Sequence, residues 1–113
     1  SKAVEFQTEK EFRQTVVEYA QSQGWCVLST WSSIHSPAGE PDLRLIRPPR
    51  VMFAELKSQK GRVTPKQKEV IGLLRQCPGV EVYVWRPSDW PEIERVLGRG
   101  EEMTYTAEVV VLA

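Results

Sequence analysis

Three side chains with complementary chemistry lie near the middle of the chain, between Gly39 and Gly61. Asp42 precedes one apolar run, and Glu55 and Lys57 end the next run. Side chains two residues apart along a strand share a face, so Glu55 and Lys57 point the same way. If the two runs pair in register, Asp42 comes within about 4–6 Å of Glu55, because adjacent strands lie ~4.8 Å apart.

Two carboxylates at that distance repel each other unless a proton or a cation lies between them. Oxygen ligands favour a hard divalent ion, Mg²⁺ or Mn²⁺, over zinc or copper. Lys57 beside them can orient an attacking water or stabilise charge that develops on a phosphoryl oxygen. The alternative interpretation is a structural salt-bridge cluster at a strand end.

The first predicted helix adds a third carboxylate. Glu9 lies on the same helical stripe as Phe12 and Val16, which turns it inward near the helix start. Glu11 has the capping-box spacing from Thr8 and is explained by that role. The alternative for Glu9 is an acid at the helix N-terminus, favoured by the helix dipole.

The second predicted helix contributes an amide. Gln67, Ile71 and Leu74 have the i, i+4, i+7 spacing, which turns Gln67 towards the sheet. There it can donate a hydrogen bond to the carboxylate site. The alternative is an ordinary residue of the first helical turn.

These side chains depend on a mixed α/β fold of the order α-β-β-β-α-β-α-β, with helices packed on one sheet. The sequence "VMFA" is apolar on both faces and predicts a central strand covered on both sides. "PPR" separates two runs that form a hairpin. We expect a single domain over residues 1–113. The predicted elements are helix Thr8–Gln23, strands Trp25–Thr30, Asp42–Arg47 and Val51–Lys57, a helix from Thr64 to "CPG", strand Val80–Trp85, a short helix capped by Asp89 and Glu92 that ends near Leu97, and a last strand near Thr104–Leu112.

Composition excludes several classes of protein. No apolar run approaches the roughly 20 residues that span a bilayer, and the N-terminal sequence has no signal-peptide core. Cys26 and Cys77 have no metal-ligand spacing, so we expect reduced thiols in a cytoplasm. His35 is the single histidine, which argues against a catalytic triad or a His-rich zinc site.

The net charge is zero, but its distribution is uneven. Residues 44–68 carry a charge of +7, whereas residues 1–43 carry −3 and residues 69–113 carry −4. A basic block inside a neutral chain predicts a face for a polyanion. A solvated charged loop is the alternative. The candidate DNA-backbone contacts are Arg44, Arg50, Lys60, Arg62, Lys66 and Lys68.

The motifs "GEPDL", "ELK" and "GRVTPKQ" together resemble the VRR-NUC family of the PD-(D/E)XK nuclease superfamily, in its stand-alone phage and bacterial form, from about Thr8 to Leu97. The resemblance implies a restriction-endonuclease-like fold and metal-dependent hydrolysis of DNA phosphodiesters. It implies that Asp42, Glu55 and the backbone carbonyl of Leu56 hold Mg²⁺ or Mn²⁺ and that Glu9 completes the set. Lys57 would then be the catalytic lysine and Gln67 the motif glutamine.

The same resemblance concerns substrate and assembly. Stand-alone members of the family are similar to archaeal Holliday-junction resolvases, which implies a homodimer that acts on branched DNA. The C-terminal "MTYTAEVVVLA" can pair with a second protomer or fill the sheet. A nuclease fold that binds DNA without cutting it is the rival hypothesis. Glu40 departs from the family pattern and is a surface change or a modifier of metal affinity.

Aromatic and histidine side chains near the predicted site have two interpretations each. Trp31 and Trp90 can stack on an exposed base or pack under the loop. His35 can contact DNA or remain solvated.

Overall fold

The computed structural model describes residues 7–29 and 38–99. The predicted order of elements is confirmed as far as Leu97, and the predicted strand near Thr104–Leu112 lies outside the described residues. In chain order the elements are helix α1 (Glu9–Ser22), strands β1 (Cys26–Ser29), β2 (Leu43–Arg47) and β3 (Arg50–Leu56), helix α2 (Pro65–Leu74), strand β4 (Val80–Trp85) and helix α3 (Trp90–Leu97).

Helix α1 begins with the predicted capping box. The Thr8 hydroxyl accepts the N–H of Glu11 at 3.1 Å, and the Glu11 carboxylate accepts the N–H of Thr8 at 2.9 Å. This exchange satisfies two backbone donors that a helix start leaves without partners. Beyond the helix, Gly24 has φ +89°, which favours glycine at this stop.

The sheet is mixed, with the order β1-β2-β3-β4. The first two pairings are antiparallel and β3 pairs with β4 in parallel. Strands β2 and β3 form the predicted hairpin, with Leu43 opposite Ala54. Continuing this register by one residue towards the open end of the hairpin places Asp42 opposite Glu55. The register therefore brings both carboxylates to the same end of the hairpin.

Strand β3 is central, as predicted, but its two faces are covered unequally. Met52, Ala54 and Leu56 are fully buried, whereas Val51 and Phe53 on the other face are half-buried. Helix α2 packs chiefly against β4 and therefore covers that second face only in part.

One hydrophobic core lies between the first face of the sheet and helices α1 and α3. Burial of these side chains is the main contribution to the stability of the fold. No helix among residues 7–29 and 38–99 is long and apolar enough to cross a membrane. The core side chains are Phe12, Val16, Ala20, Trp25, Leu43, Leu45, Met52, Ala54, Leu56, Trp85, Ile93, Val96 and Leu97.

Two arginines of the hairpin hold the end of α3. Arg50 forms two hydrogen bonds of 2.7 Å to the Glu81 carboxylate and donates a third to the Val96 carbonyl at 3.0 Å. Arg47 donates to the Leu97 carbonyl at 3.1 Å. The last carbonyls of a helix lack partners within it and carry partial negative charge, so guanidinium groups there stabilise the helix end.

The start of α3 differs from the prediction that Asp89 caps it. The Asp89 carboxylate accepts the N–H of Arg86 at 2.8 Å and closes the 3₁₀ turn Pro87–Asp89. Its side chain makes no capping hydrogen bond to α3. The Asp89 side chain therefore stabilises the 3₁₀ turn that precedes α3 and not the start of α3 itself.

We expect the Leu45→Ala variant to lose about 2–5 kcal/mol of unfolding free energy, because Leu45 is fully buried and the deletion leaves a cavity. Leu73 is 59% exposed, so the chemically identical Leu73→Ala change should alter the unfolding free energy by less than about 0.5 kcal/mol. Urea denaturation of both variants measures this. Equal losses would contradict the described core.

Candidate active site

Asp42 is fixed to the end of β3 by the backbone. One of its carboxylate oxygens accepts the N–H of Leu56 at 2.8 Å, which continues the β2–β3 pairing through a side chain. A residue in an antiparallel strand directs its N–H and its C=O to the same neighbour. The carbonyl of Leu56 therefore faces the side on which Asp42 lies, as a shared metal site requires.

Glu55 is a buried carboxylate, with 2% of its surface exposed. Its Oε2 accepts a hydrogen bond from Gln67 Nε2 at 3.0 Å and lies 3.5 Å from Lys57 Nζ. Its Oε1 is buried and has no hydrogen-bond partner. Burial, followed by repulsion from Asp42, raises the pKa of Glu55 to about 7, and the charge of Lys57 opposes that rise.

The donor set at this strand end fits a hard divalent ion. A buried oxygen without a partner is uncommon in folded proteins, and an ion, a water or a proton shared with Asp42 can satisfy it. Glu55 Oε1, the Asp42 carboxylate and the Leu56 carbonyl are all oxygen donors, which suits Mg²⁺ or Mn²⁺. A cation here would also relieve the repulsion that raises the pKa of Glu55.

Glu9 does not join these two carboxylates directly. The part of the chain that the structure describes contains no group of three or more His, Cys, Asp or Glu side chains placed to hold a metal. Instead, Arg13 Nη2 lies 3.8 Å from Glu9 Oε2 and 3.8 Å from Asp42 Oδ1. Arg13 is a residue of the site that was not predicted from the sequence, although its i, i+4 spacing from Glu9 was a signal.

Gln67 serves the helix and the site together. Its Oε1 accepts the N–H of Thr64 at 2.8 Å, and its own N–H donates to the Thr64 hydroxyl at 3.1 Å. This capping box fixes the amide so that its NH₂ group faces Glu55. The two interpretations offered by the sequence, first-turn residue and hydrogen-bond donor to the site, therefore both describe Gln67.

The loop that carries Asp42 packs closely against the start of α2. Gly39 has φ +85°, and a Cβ at this position would lie 2.7 Å from the Lys66 carbonyl oxygen. Only glycine fits this approach without displacing backbone. Glu40 is half-buried in the same loop.

The predicted DNA contacts separate into two groups. Arg44 is exposed on β2, two residues from Asp42 and on its face of the strand. Arg62 and Lys68 line an open cleft of about 600 Å³ at the start of α2. Lys60 and Lys66 are also exposed, and each is adjacent in the chain to a residue that lines this cleft. Arg50 is not brought to this surface, because its guanidinium holds Glu81 and the end of α3.

Of the two aromatic candidates, the structure describes Trp90 and places it away from the site. Trp90 packs against Tyr19, with the ring centroids 5.5 Å apart in an edge-to-face arrangement, and lies against the core. This agrees with the packing interpretation. Trp31 and His35 lie outside the described residues.

Glu55 predicts a pH-dependent stability for the protein without metal. Its folded-state pKa of about 7 lies above the ordinary value of 4.5. Between these values the folded state binds more protons than the unfolded state, so the contribution of Glu55 lowers the unfolding free energy as pH rises from about 4.5 to 7. The expected loss is on the order of 1–3 kcal/mol. Urea denaturation in EDTA at stepped pH measures it.

The control for this prediction is a pair of amide variants. Glu55→Gln cannot ionise. The unfolding free energy of this variant should therefore lack the decrease between about pH 4.5 and 7 that is attributed to Glu55. Glu69→Gln changes an exposed carboxylate and should keep the wild-type slope. An unchanged slope in Glu55→Gln would contradict the assignment.

Comparison with known proteins identifies the fold. No family model matches the sequence, and no curated protein matches it. A solved structure described as a VRR_NUC domain protein is similar over 81% of this chain and 91% of that chain, with a TM-score of 0.59 and 23% sequence identity. The chain therefore has the fold of a VRR_NUC domain, and its described residues form a mixed four-stranded sheet flanked by helices.

Proposed function

We propose that this chain is a metal-dependent DNA endonuclease of the VRR-NUC family, within the PD-(D/E)XK superfamily. The observation that carries the proposal is the convergence of Asp42, Glu55 and Lys57 at one end of the β2–β3 hairpin. The fold is shared with a VRR_NUC domain protein, which supports a nuclease-type domain.

The ion in this proposal is Mg²⁺ or Mn²⁺, held by Asp42, Glu55 and the carbonyl of Leu56, with Glu9 as a further carboxylate nearby. When bound, it would supply Lewis acidity and a more acidic water. Glu55 contributes through Oε1, which has no protein partner, while Gln67 and Lys57 hold Oε2.

Lys57 is placed to act on the reacting phosphate. Its side chain is 12% exposed, and a Cβ at Gly61 would lie 3.6 Å from its Cδ, so the loop packs closely against its stem. The ammonium group orients the attacking water or stabilises charge on a phosphoryl oxygen. Water attacks phosphorus and loses a proton to solvent, the bond between phosphorus and the 3′ oxygen breaks, and that oxygen takes a proton from solvent. The products are a 3′-hydroxyl and a 5′-phosphate.

DNA would lie across the exposed cations around the site. Arg44 flanks Asp42 on one side, and Lys60, Arg62, Lys66 and Lys68 flank Lys57 and Gln67 on the other. Contacts of this kind neutralise phosphates and position the backbone without reading sequence.

We further propose that the substrate is branched DNA, with a Holliday junction as the specific candidate, and that the protein acts as a homodimer in the cytoplasm. The described chain contributes one carboxylate pair, whereas resolving a junction requires two cuts, which a two-fold dimer supplies. The segment that the sequence predicts as a last strand, near Thr104–Leu112, is the proposed dimer contact.

For the nuclease proposal, Glu55→Gln and Lys57→Ala should each reduce the single-turnover cleavage rate by at least ~100-fold, because each removes a group that acts on the reacting phosphate or its ion. Binding to the same DNA in EDTA should remain within about threefold of wild type. The measurement uses labelled four-way junction, flap and duplex DNA with and without Mg²⁺ or Mn²⁺, together with the solution mass.

Glu92→Gln and Lys10→Ala are the matched controls, since both residues are exposed and lie outside the proposed machinery. Both should cut at the wild-type rate. A band shift without product for the wild-type protein would establish the non-cutting DNA-binding module instead. Equal cutting of duplex and junction would remove the branched-DNA proposal alone.

The salt dependence of binding tests the DNA surface. Arg62→Ala and Lys68→Ala should each reduce the slope of log K against log salt by about 1, because each loses one phosphate contact. Arg75 is exposed just beyond the C-terminal end of α2. The Arg75→Ala variant should therefore leave the salt slope unchanged. Unchanged slopes for both cleft variants would place the DNA elsewhere.

A further inference from the structure

We infer that Arg13 acts as a cation switch: it occupies the metal side of Asp42 in the protein without metal and contacts the scissile phosphate when the ion is bound. This inference rests on the proposed function and adds to it a residue that contacts substrate. The observation behind it is the position of one guanidinium nitrogen between two carboxylates of the site.

Arg13 Nη2 lies 3.8 Å from both Glu9 Oε2 and Asp42 Oδ1. Asp42 Oδ2 accepts the Leu56 N–H, so Oδ1, the oxygen that Arg13 approaches, is the one left for an ion held by Asp42 and Glu55. The helical i, i+4 spacing explains the contact with Glu9. It does not explain the contact with Asp42, which belongs to another element and is a proposed metal ligand.

The contact is loose enough to exchange. At 3.8 Å neither pair is a hydrogen bond; the side chains of Arg13 and Glu9 are 37% and 45% exposed, and that of Asp42 is 21% exposed. An ion pair of this length with one exposed partner contributes little to stability. Displacing Arg13 by a divalent ion is therefore inexpensive, in contrast to Arg50, whose guanidinium is bound by Glu81 and a helix end.

The two cationic side chains of the site lie near different carboxylates. Lys57 lies 3.5 Å from Glu55, and Arg13 lies between Glu9 and Asp42. Lys57 is nearly buried and held by its loop, whereas Arg13 lies on the rim of the site and makes no hydrogen bond within the described residues. Its guanidinium donors are free for an incoming phosphate.

Charge balance favours the exchange. With all three carboxylates ionised, the site has one negative charge in excess, since Lys57 and Arg13 are its cations. A divalent ion changes the excess to one positive charge, which attracts a phosphodiester. Arginine binds phosphate oxygens through paired N–H donors, so it is suited to this second position.

The first test measures metal affinity without DNA. Calorimetric titration of Arg13→Ala with Mn²⁺ should give a dissociation constant about 3–10 times lower than wild type, because the competing cation is gone. Arg75→Ala should bind Mn²⁺ as wild type does. An unchanged or weaker affinity of Arg13→Ala for Mn²⁺ would contradict the inference that Arg13 occupies the metal side of Asp42.

The second test uses junction DNA at saturating Mn²⁺. Arg13→Ala should cut at least ~30-fold more slowly, and its affinity for uncut DNA in Ca²⁺ should fall about tenfold. Arg13→Lys should recover part of both losses. Wild-type cutting by Arg13→Ala would overturn the phosphate contact, and a midpoint of thermal unfolding within about 2 °C of wild type excludes a folding defect.

The two proposals can fail separately. If wild-type protein cuts no DNA with either metal, the nuclease proposal and the phosphate contact of Arg13 fail together, while the titration still decides whether Arg13 competes with a cation. If the protein cuts and the Arg13 variants behave as wild type, the switch alone fails.

Discussion

The buried carboxylate of Glu55 is the constraint on which the site depends. A carboxylate removed from water is costly unless charges and donors compensate it, and here repulsion from Asp42 adds to that cost. Lys57 and Gln67 offset part of it through one oxygen and leave the other without a partner. The site therefore favours a positive charge near Glu55, either a proton or a cation, which is the physical basis for proposing a metal ion there.

Three independent pieces of backbone make this arrangement rigid. The hairpin register sets Asp42 opposite Glu55, and the Asp42 side chain then bonds the backbone of β3. The capping box of α2 orients the amide of Gln67. Gly39 lets the preceding loop pack against the first turn of that helix. Groups held on strand ends and a helix cap keep their geometry better than groups on free loops, which suits a site for phosphoryl chemistry.

The basic block of the sequence divides into structural and functional members only in three dimensions. Arg44 and Arg62 are exposed near the carboxylates, whereas Arg47 and Arg50 turn to the carbonyls at the end of α3. All four have the same charge and belong to the same basic block, residues 44–68. Charge patterning identified the block because charge is a local property, but a partner some 50 residues away is not visible in it.

The sequence by itself determined the order of the described elements, the hairpin and the threonines that begin α1 and α2. Strand and helix periodicities, which fix the side chains that share a face, also grouped Asp42, Glu55, Lys57 and Gln67 as candidates for one site. Tertiary structure decided what periodicity cannot: that α2 covers only part of the second face, that Asp89 closes an earlier turn, and that Arg13 lies between Glu9 and Asp42. Each of these depends on how separate elements pack together, and contacts between elements leave no periodic signal in a single sequence.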